Sequence, residues 1–181
     1  MRLFVGIDMP AAVKDEIAGL IERLRVTGVP DAKWVPRDNL HVTLSFLGEV
    51  REEGEIGPTL ADAVASVRGP IPTAFDRSGA FPLARRARVL WVGLEDGEGR
   101  LVALANAVAT ALEPLGFPPE KRAWTPHLSL ARFRVPANVS ALVTEPVPAL
   151  PFEVREATLF RSRMSRPAPV YEPLRRFPLG A

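Results

Sequence analysis

Apolar and polar residues alternate most regularly in two stretches, the eight residues from Leu40 to Leu47 and the ten from Trp124 to Phe133. In the first, Val42, Leu44 and Phe46 share one face while His41, Thr43 and Ser45 share the other, the period-two pattern of a strand with one buried side. The apolar face is expected in the core. The other face carries a titratable ring and two hydroxyls, an odd set to build without a use. The second stretch, "WTPHLSLARF", repeats the arrangement with His127 and Ser129.

Helical spacing governs three other segments. Val13, Ile17, Leu20, Ile21 and Leu24 recur at intervals of three and four, predicting a helix with Pro10 in its first turn that runs to about Arg25 and is ended by Thr27-Gly28-Val29-Pro30. A second helix is expected over Ile56 to Val67, with Leu60, Val64 and Val67 inward and Gly69-Pro70 closing it. A third runs from about Gly99 to Leu115 and stops at "GFPP". Strands are expected over Arg2 to Asp8, Thr73 to Phe75, Val89 to Leu94 and Phe152 to Phe160. Shorter extended pieces fall near Lys33 to Val35 and Val170 to Leu174, and a short helix near Val139 to Thr144. Strands and helices mix without regular βαβ alternation, which predicts an α+β fold with largely antiparallel sheet. Each half of the chain runs through strand, helix and strand to a histidine motif, so two similar lobes are expected side by side.

Composition narrows the function. The 181 residues suit one domain or two small lobes sharing a core, and 47% hydrophobic with 24% charged residues marks a folded, soluble chain. A formal net charge of +2 permits an anionic ligand without indicating a long nucleic-acid track. With no cysteine, disulfides, thiolate catalysis and sulfur-ligated metals are excluded. The N-terminal apolar run is broken at Asp8, too early for a signal sequence or membrane span, and a cytoplasmic protein is expected.

The chain's only histidines, His41 and His127, both open the pattern His–apolar–Thr/Ser–Leu. One strand histidine is commonly a satisfied, half-buried ring; two in matched settings point to a shared task. On strands brought together, the two rings would oppose each other across a groove flanked by Thr43 and Ser129. Histidine titrates near neutrality, so one ring can act as acid and the other as base. The residues alone leave open which does which. Two histidines without a carboxylate in either motif leave a metal under-coordinated, and neither a nucleophile elbow nor a phosphate-binding Gly-rich loop is present. Acid–base chemistry on a phosphodiester is the simplest remaining use.

"HVTLSFLG" and "HLSLARF", whose histidines are eighty-six residues apart, resemble the paired His–x–Thr/Ser–x motifs of the 2H phosphoesterase superfamily. With "RLFVGIDMP", "VLWVGL" and "PVYEPL" in order, the chain resembles the RNA 2′,3′-cyclic phosphodiesterase (2′-5′ RNA ligase) family nearly end to end. The resemblance implies a bilobal α+β fold, a single domain over residues 1–181, with two mostly antiparallel sheets lining a central cleft and helices outside. It implies metal-free, cofactor-free opening of an RNA-terminal 2′,3′-cyclic phosphate to a 2′-phosphate. His41 would protonate the departing 3′ oxygen, His127 would deprotonate water, and Thr43, Ser129 and Arg132 would hold the phosphate.

By strict alternation Arg132 falls on the face opposite His127, so it reaches the cleft only if the strand bulges or ends there. The same residues suit 2′-5′ ligation, hydrolysis of a small cyclic-phosphate metabolite, or non-catalytic binding of an RNA end. RNA ends or nucleotides bearing the cyclic phosphate are the expected partners, with no membrane or obligate protein partner and a monomeric state. Phe46, Phe4 or Tyr171 could stack a base, although Phe46 has core parity. Arg85, Arg86, Arg88, Arg161, Arg163 and Arg166 could guide a longer RNA, or be plain surface charge.

Overall fold

The chain's first strand, β1 (Arg2–Asp8), buries every residue from Leu3 to Ile7, as expected of a strand in the interior of a sheet. Residues 1–29 and 31–181 are described by the structure, a computed structural model; Pro30, expected in the turn after the first helix, lies outside the described residues. Helix α1 (Ala11–Arg25) buries Val13, Ile17, Leu20, Ile21 and Leu24, the five positions its spacing selects. Each such side chain is worth about 1.5–3 kcal/mol when withdrawn from water.

The order continues with β2 (Ala32–Trp34), β3 (His41–Glu49), α2 (Ile56–Ala65), β4 (Ile71–Thr73), β5 (Phe75–Phe81), β6 (Ala87–Leu94) and α3 (Arg100–Leu112). It ends with β7 (His127–Ala137), β8 (Phe152–Val154), β9 (Glu156–Arg163) and β10 (Val170–Pro178). Helix α2 stops short of Val67, which is nonetheless buried. Helix α3 starts where the Asp96 carboxylate accepts hydrogen bonds from the amides of Leu101 and Val102. The strand expected over Phe152 to Phe160 divides at Arg155 because its two parts join different sheets. The expected short helix is a single 3-10 turn, Leu142–Thr144.

Seven strands form one antiparallel path, β10-β9-β1-β3-β7-β6-β5, with β2 pairing along β7 beside it; β4 and β8 make a separate two-stranded ladder. The fold is therefore α+β with predominantly antiparallel pairing. Both chain ends contribute to β10-β9-β1-β3, while β7-β6-β5 comes from the middle of the chain. These half-sheets touch through one backbone pair, Val42 with Leu128. The apolar sheet face and the three helices bury their side chains in one continuous core. Among the described residues no helix is long and apolar enough to cross a membrane.

Two departures from strict alternation decide what reaches the other face. Along β3, Gly6 pairs with Thr43 but Val5 with Ser45, so Leu44 is an extra residue. The phase shifts there: Leu47 turns inward, and Phe46, expected in the core with Val42 and Leu44, is 60% exposed. Along β7, Trp91 pairs with Ser129 but Leu90 with Ala131, leaving Leu130 as the extra residue. Leu130 and Ala131 are both buried, and Arg132 follows them outward.

Candidate active site

His41 opens β3 and His127 opens β7, each half-buried on the sheet face away from the helices. The Val42–Leu128 pair runs antiparallel. His41 is therefore drawn toward the Ser129 side and Thr43 toward the His127 side, both motifs on one face. Trp124 strengthens the junction by donating its indole N–H to the Thr43 carbonyl at 2.9 Å.

Both rings are held in the same way. His41 Nδ1 lies 2.7 Å from the Asn39 carbonyl, and His127 Nδ1 lies 2.8 Å from the Thr125 carbonyl, in each case the residue two positions earlier. A carbonyl can only accept, so each neutral ring carries its proton on Nδ1 and leaves Nε2 with a lone pair. His41 Nε2 accepts from the Thr43 hydroxyl at 2.9 Å. Asn39 is itself anchored, its side-chain amide donating to the Pro169 carbonyl at 2.7 Å.

Aromatic walls surround both rings. Phe4 lies 4.8 Å from the His41 ring, Tyr171 stands edge-on to it at 5.2 Å, and Phe160 stacks on Phe4 at 5.0 Å. Phe81 stands edge-on to His127 at 5.1 Å, with Trp91 at 6.1 Å. Burial against these rings disfavours the imidazolium and holds His41 down at about 4, although the Asn39 carbonyl opposes it. The same cause lowers His127 below its ordinary value, against the Thr125 carbonyl. Arg132 is a further depressing charge for both rings, so its guanidinium stands within electrostatic reach of each.

Arg132 thus joins the histidine face because of the bulge at Leu130, the condition that alternation alone demanded. Gly6 makes room for the site: a Cβ there would lie 2.8 Å from the Val42 carbonyl and 3.4 Å from His41 Cδ2. Asn39, Phe81, Trp91 and Gly6 were not singled out by sequence. Asn39 and Thr125 did carry a signal, since each stands two residues before a histidine. Among the described residues no three His, Cys, Asp or Glu side chains cluster as a metal site would require.

The arrangement offers two Nε2 atoms, two hydroxyls and one guanidinium on a common face, a set suited to proton transfer around a small anion. The sequence model of the 2′-5′ RNA ligase superfamily matches residues 13–166. A protein of Archaeoglobus fulgidus named RNA 2′,3′-cyclic phosphodiesterase is 34% identical, covering 98% of this chain and 99% of its own. A protein of the same name from Escherichia coli is 33% identical, covering 98% and 96%. Among solved structures, E. coli LigT complexed with 3′-AMP aligns with a TM-score of 0.74 at 32% identity, covering 98% of this chain and 97% of its own. TT0787 of Thermus thermophilus aligns with a TM-score of 0.77 at 29% identity, with the same coverage. With its matched histidine strands and agreement over nearly its whole length, the chain belongs to the 2′-5′ RNA ligase superfamily.

Proposed function

We propose that the protein is an RNA 2′,3′-cyclic phosphodiesterase that opens the ring to a 2′-phosphomonoester by a metal-free, two-histidine mechanism. The observation that carries this reading is the shared restraint of the two imidazoles: both are tied through Nδ1, which turns each Nε2 lone pair to the site, that of His41 accepting from the Thr43 hydroxyl. The names of the relatives from A. fulgidus and E. coli support the substrate class.

In the proposed step, His127 Nε2 takes a proton from water as its oxygen attacks phosphorus. The bond from phosphorus to the 3′ oxygen breaks, and protonated His41 gives its Nε2 proton to that oxygen. One water is consumed and the products are a 2′-phosphate and a free 3′ hydroxyl. Thr43 and Ser129 donate to the non-bridging oxygens, and Arg132 balances the charge that builds on them. The aromatic walls favour a neutral His127, as a base requires. They oppose a protonated His41 until an anionic phosphate arrives to favour the imidazolium.

The test is incubation, in EDTA, of the purified protein with an RNA oligonucleotide ending in a 2′,3′-cyclic phosphate. A 2′-phosphate product is expected. A 3′-phosphate would overturn the assignment of the leaving oxygen, inhibition by EDTA the metal-free mechanism, and absence of product the activity itself.

A further inference from the structure

The bulge at Leu130 carries more than Arg132 to the histidine face. Beyond it, Ala131 and Phe133 turn into the core while Arg132 and Arg134 are exposed on the other side. Two residues apart on one strand, they lie about 6.8 Å from each other along β7. Lys33 of β2 is paired directly opposite Arg132, and it too is exposed. At the far end, beside the register break between Ala87 and Val89, the exposed Arg88 donates to the Arg134 carbonyl at 2.6 Å.

Like charges set opposite each other across a ladder destabilise it. On β9 and β10 themselves the four arginines are matched: Arg161 and Arg163 meet Glu172, Arg175 meets Glu53, and Arg176 meets Glu156. Among the described residues Lys33, Arg88, Arg132 and Arg134 form no ion pair. A strip of unmatched cations leading away from a phosphate-sized site is built for a polyanion that continues beyond it.

We propose that Lys33, Arg134 and Arg88, continuing from Arg132, form a track for the phosphate backbone of an RNA strand whose terminal phosphate sits at the histidines. This deepens the proposed function, on which it rests, by making an oligonucleotide the preferred substrate over a mononucleotide. It keeps Arg88 from the arginines that sequence offered for guiding, whereas Arg161 and Arg163, two others of that set, are engaged by Glu172.

The experiment compares wild type with a Lys33→Ala/Arg134→Ala double variant, and with Arg23→Ala/Arg51→Ala, which removes two exposed charges elsewhere. Binding of a short RNA carrying a 2′-phosphate end, read by fluorescence anisotropy, does not depend on turnover. The track variant should bind it about tenfold more weakly, with the logarithmic salt slope reduced by about 1.4, the value for two phosphate contacts on a single strand. Binding of a 2′-phosphomononucleotide should stay within about twofold, the difference marking contacts remote from the terminal phosphate. The Arg23/Arg51 variant should match wild type.

Unchanged RNA affinity, equal weakening for RNA and mononucleotide, or equal weakening in the Arg23/Arg51 variant would overturn the track. So would equally tight binding of an acidic peptide of matched charge. A track variant weakened for RNA alone, in a protein that never converts the cyclic phosphate, would support the track while the catalytic reading failed.

Discussion

The Thr43 hydroxyl donates to His41 Nε2 at 2.9 Å, whereas Ser129, in the equivalent place after His127, makes no hydrogen bond to its ring among the described residues. The two motifs are thus alike in sequence and unlike in restraint, His41 being fixed at both nitrogens and His127 at one. Once His41 is protonated its Nε2 can no longer accept, and the freed Thr43 hydroxyl turns to the anionic phosphate. Thr43→Val should therefore lower kcat by about 10- to 100-fold, the worth of a hydrogen bond to a charged group. Ser129→Ala should act chiefly on KM. Steady-state kinetics on one cyclic phosphate substrate checks this, and equal kcat losses in both variants would contradict it.

Removing either histidine should be more damaging. His41→Ala and His127→Ala are each expected to lose at least about a hundredfold in kcat, the usual contribution of a positioned acid or base. Circular dichroism and thermal melts establish that each variant is folded. Full activity in either would end the two-histidine reading.

The pH dependence follows from the depressed histidines. Catalysis needs one ring charged and one neutral, and burial lowers both below 6.5 in the free protein. The optimum of kcat/KM should therefore fall below pH 6.5, while that of kcat, set by the substrate-bound site, should lie higher because the phosphate favours the imidazolium. Coincident optima would count against this.

Stability should follow the same ring. His41 binds its proton less readily in the folded chain than in the unfolded one. Its contribution is complete above pH 6.5 and is lost as pH falls toward about 4. Across that interval wild type should lose up to about 3 kcal/mol more stability than His41→Gln, read by urea unfolding at each pH.

Gly6→Ala tests the room made for His41. Its Cβ would meet the Val42 carbonyl at 2.8 Å, a backbone atom that can yield only by moving β3. A loss of about 1–3 kcal/mol, typical of overpacking, is expected with a fall in kcat. Denaturant titration and kinetics on the same preparation measure both.

Phe46 offers the exposed aromatic face beside the site, its ring 6.2 Å from Phe4. Phe46→Ala should raise KM for nucleotide substrates by about 5- to 150-fold through lost base stacking of about 1–3 kcal/mol, with kcat nearly unchanged. Unchanged KM would remove Phe46 from the substrate surface.

Period and spacing made much of this legible. The stripe of α1, the antiparallel α+β class and the two histidine strands could be read because each is a local regularity that packing then respects. Phe46 and Arg132 resisted for a common reason. Each follows a strand bulge, and an extra residue is invisible to a period-two count, so every parity beyond it is inverted. The aromatic walls were legible in part: Phe4 and Tyr171 stood among the residues offered for base stacking, whereas Phe160 comes within reach of His41 only through a pairing with a distant strand.

That distance separates the two histidines by the span of chain each needs around it. The middle of the chain supplies β5, β6 and β7, so the surroundings of His127 come from residues 75–137. Phe160 and Tyr171 lie on β9 and β10, and β9 must close against β1 across more than a hundred and fifty residues of sequence. Such long-range pairing is slow. The surroundings of His41 thus draw on both ends of the chain, while the ring contacts of His127 draw on residues 81–127 alone.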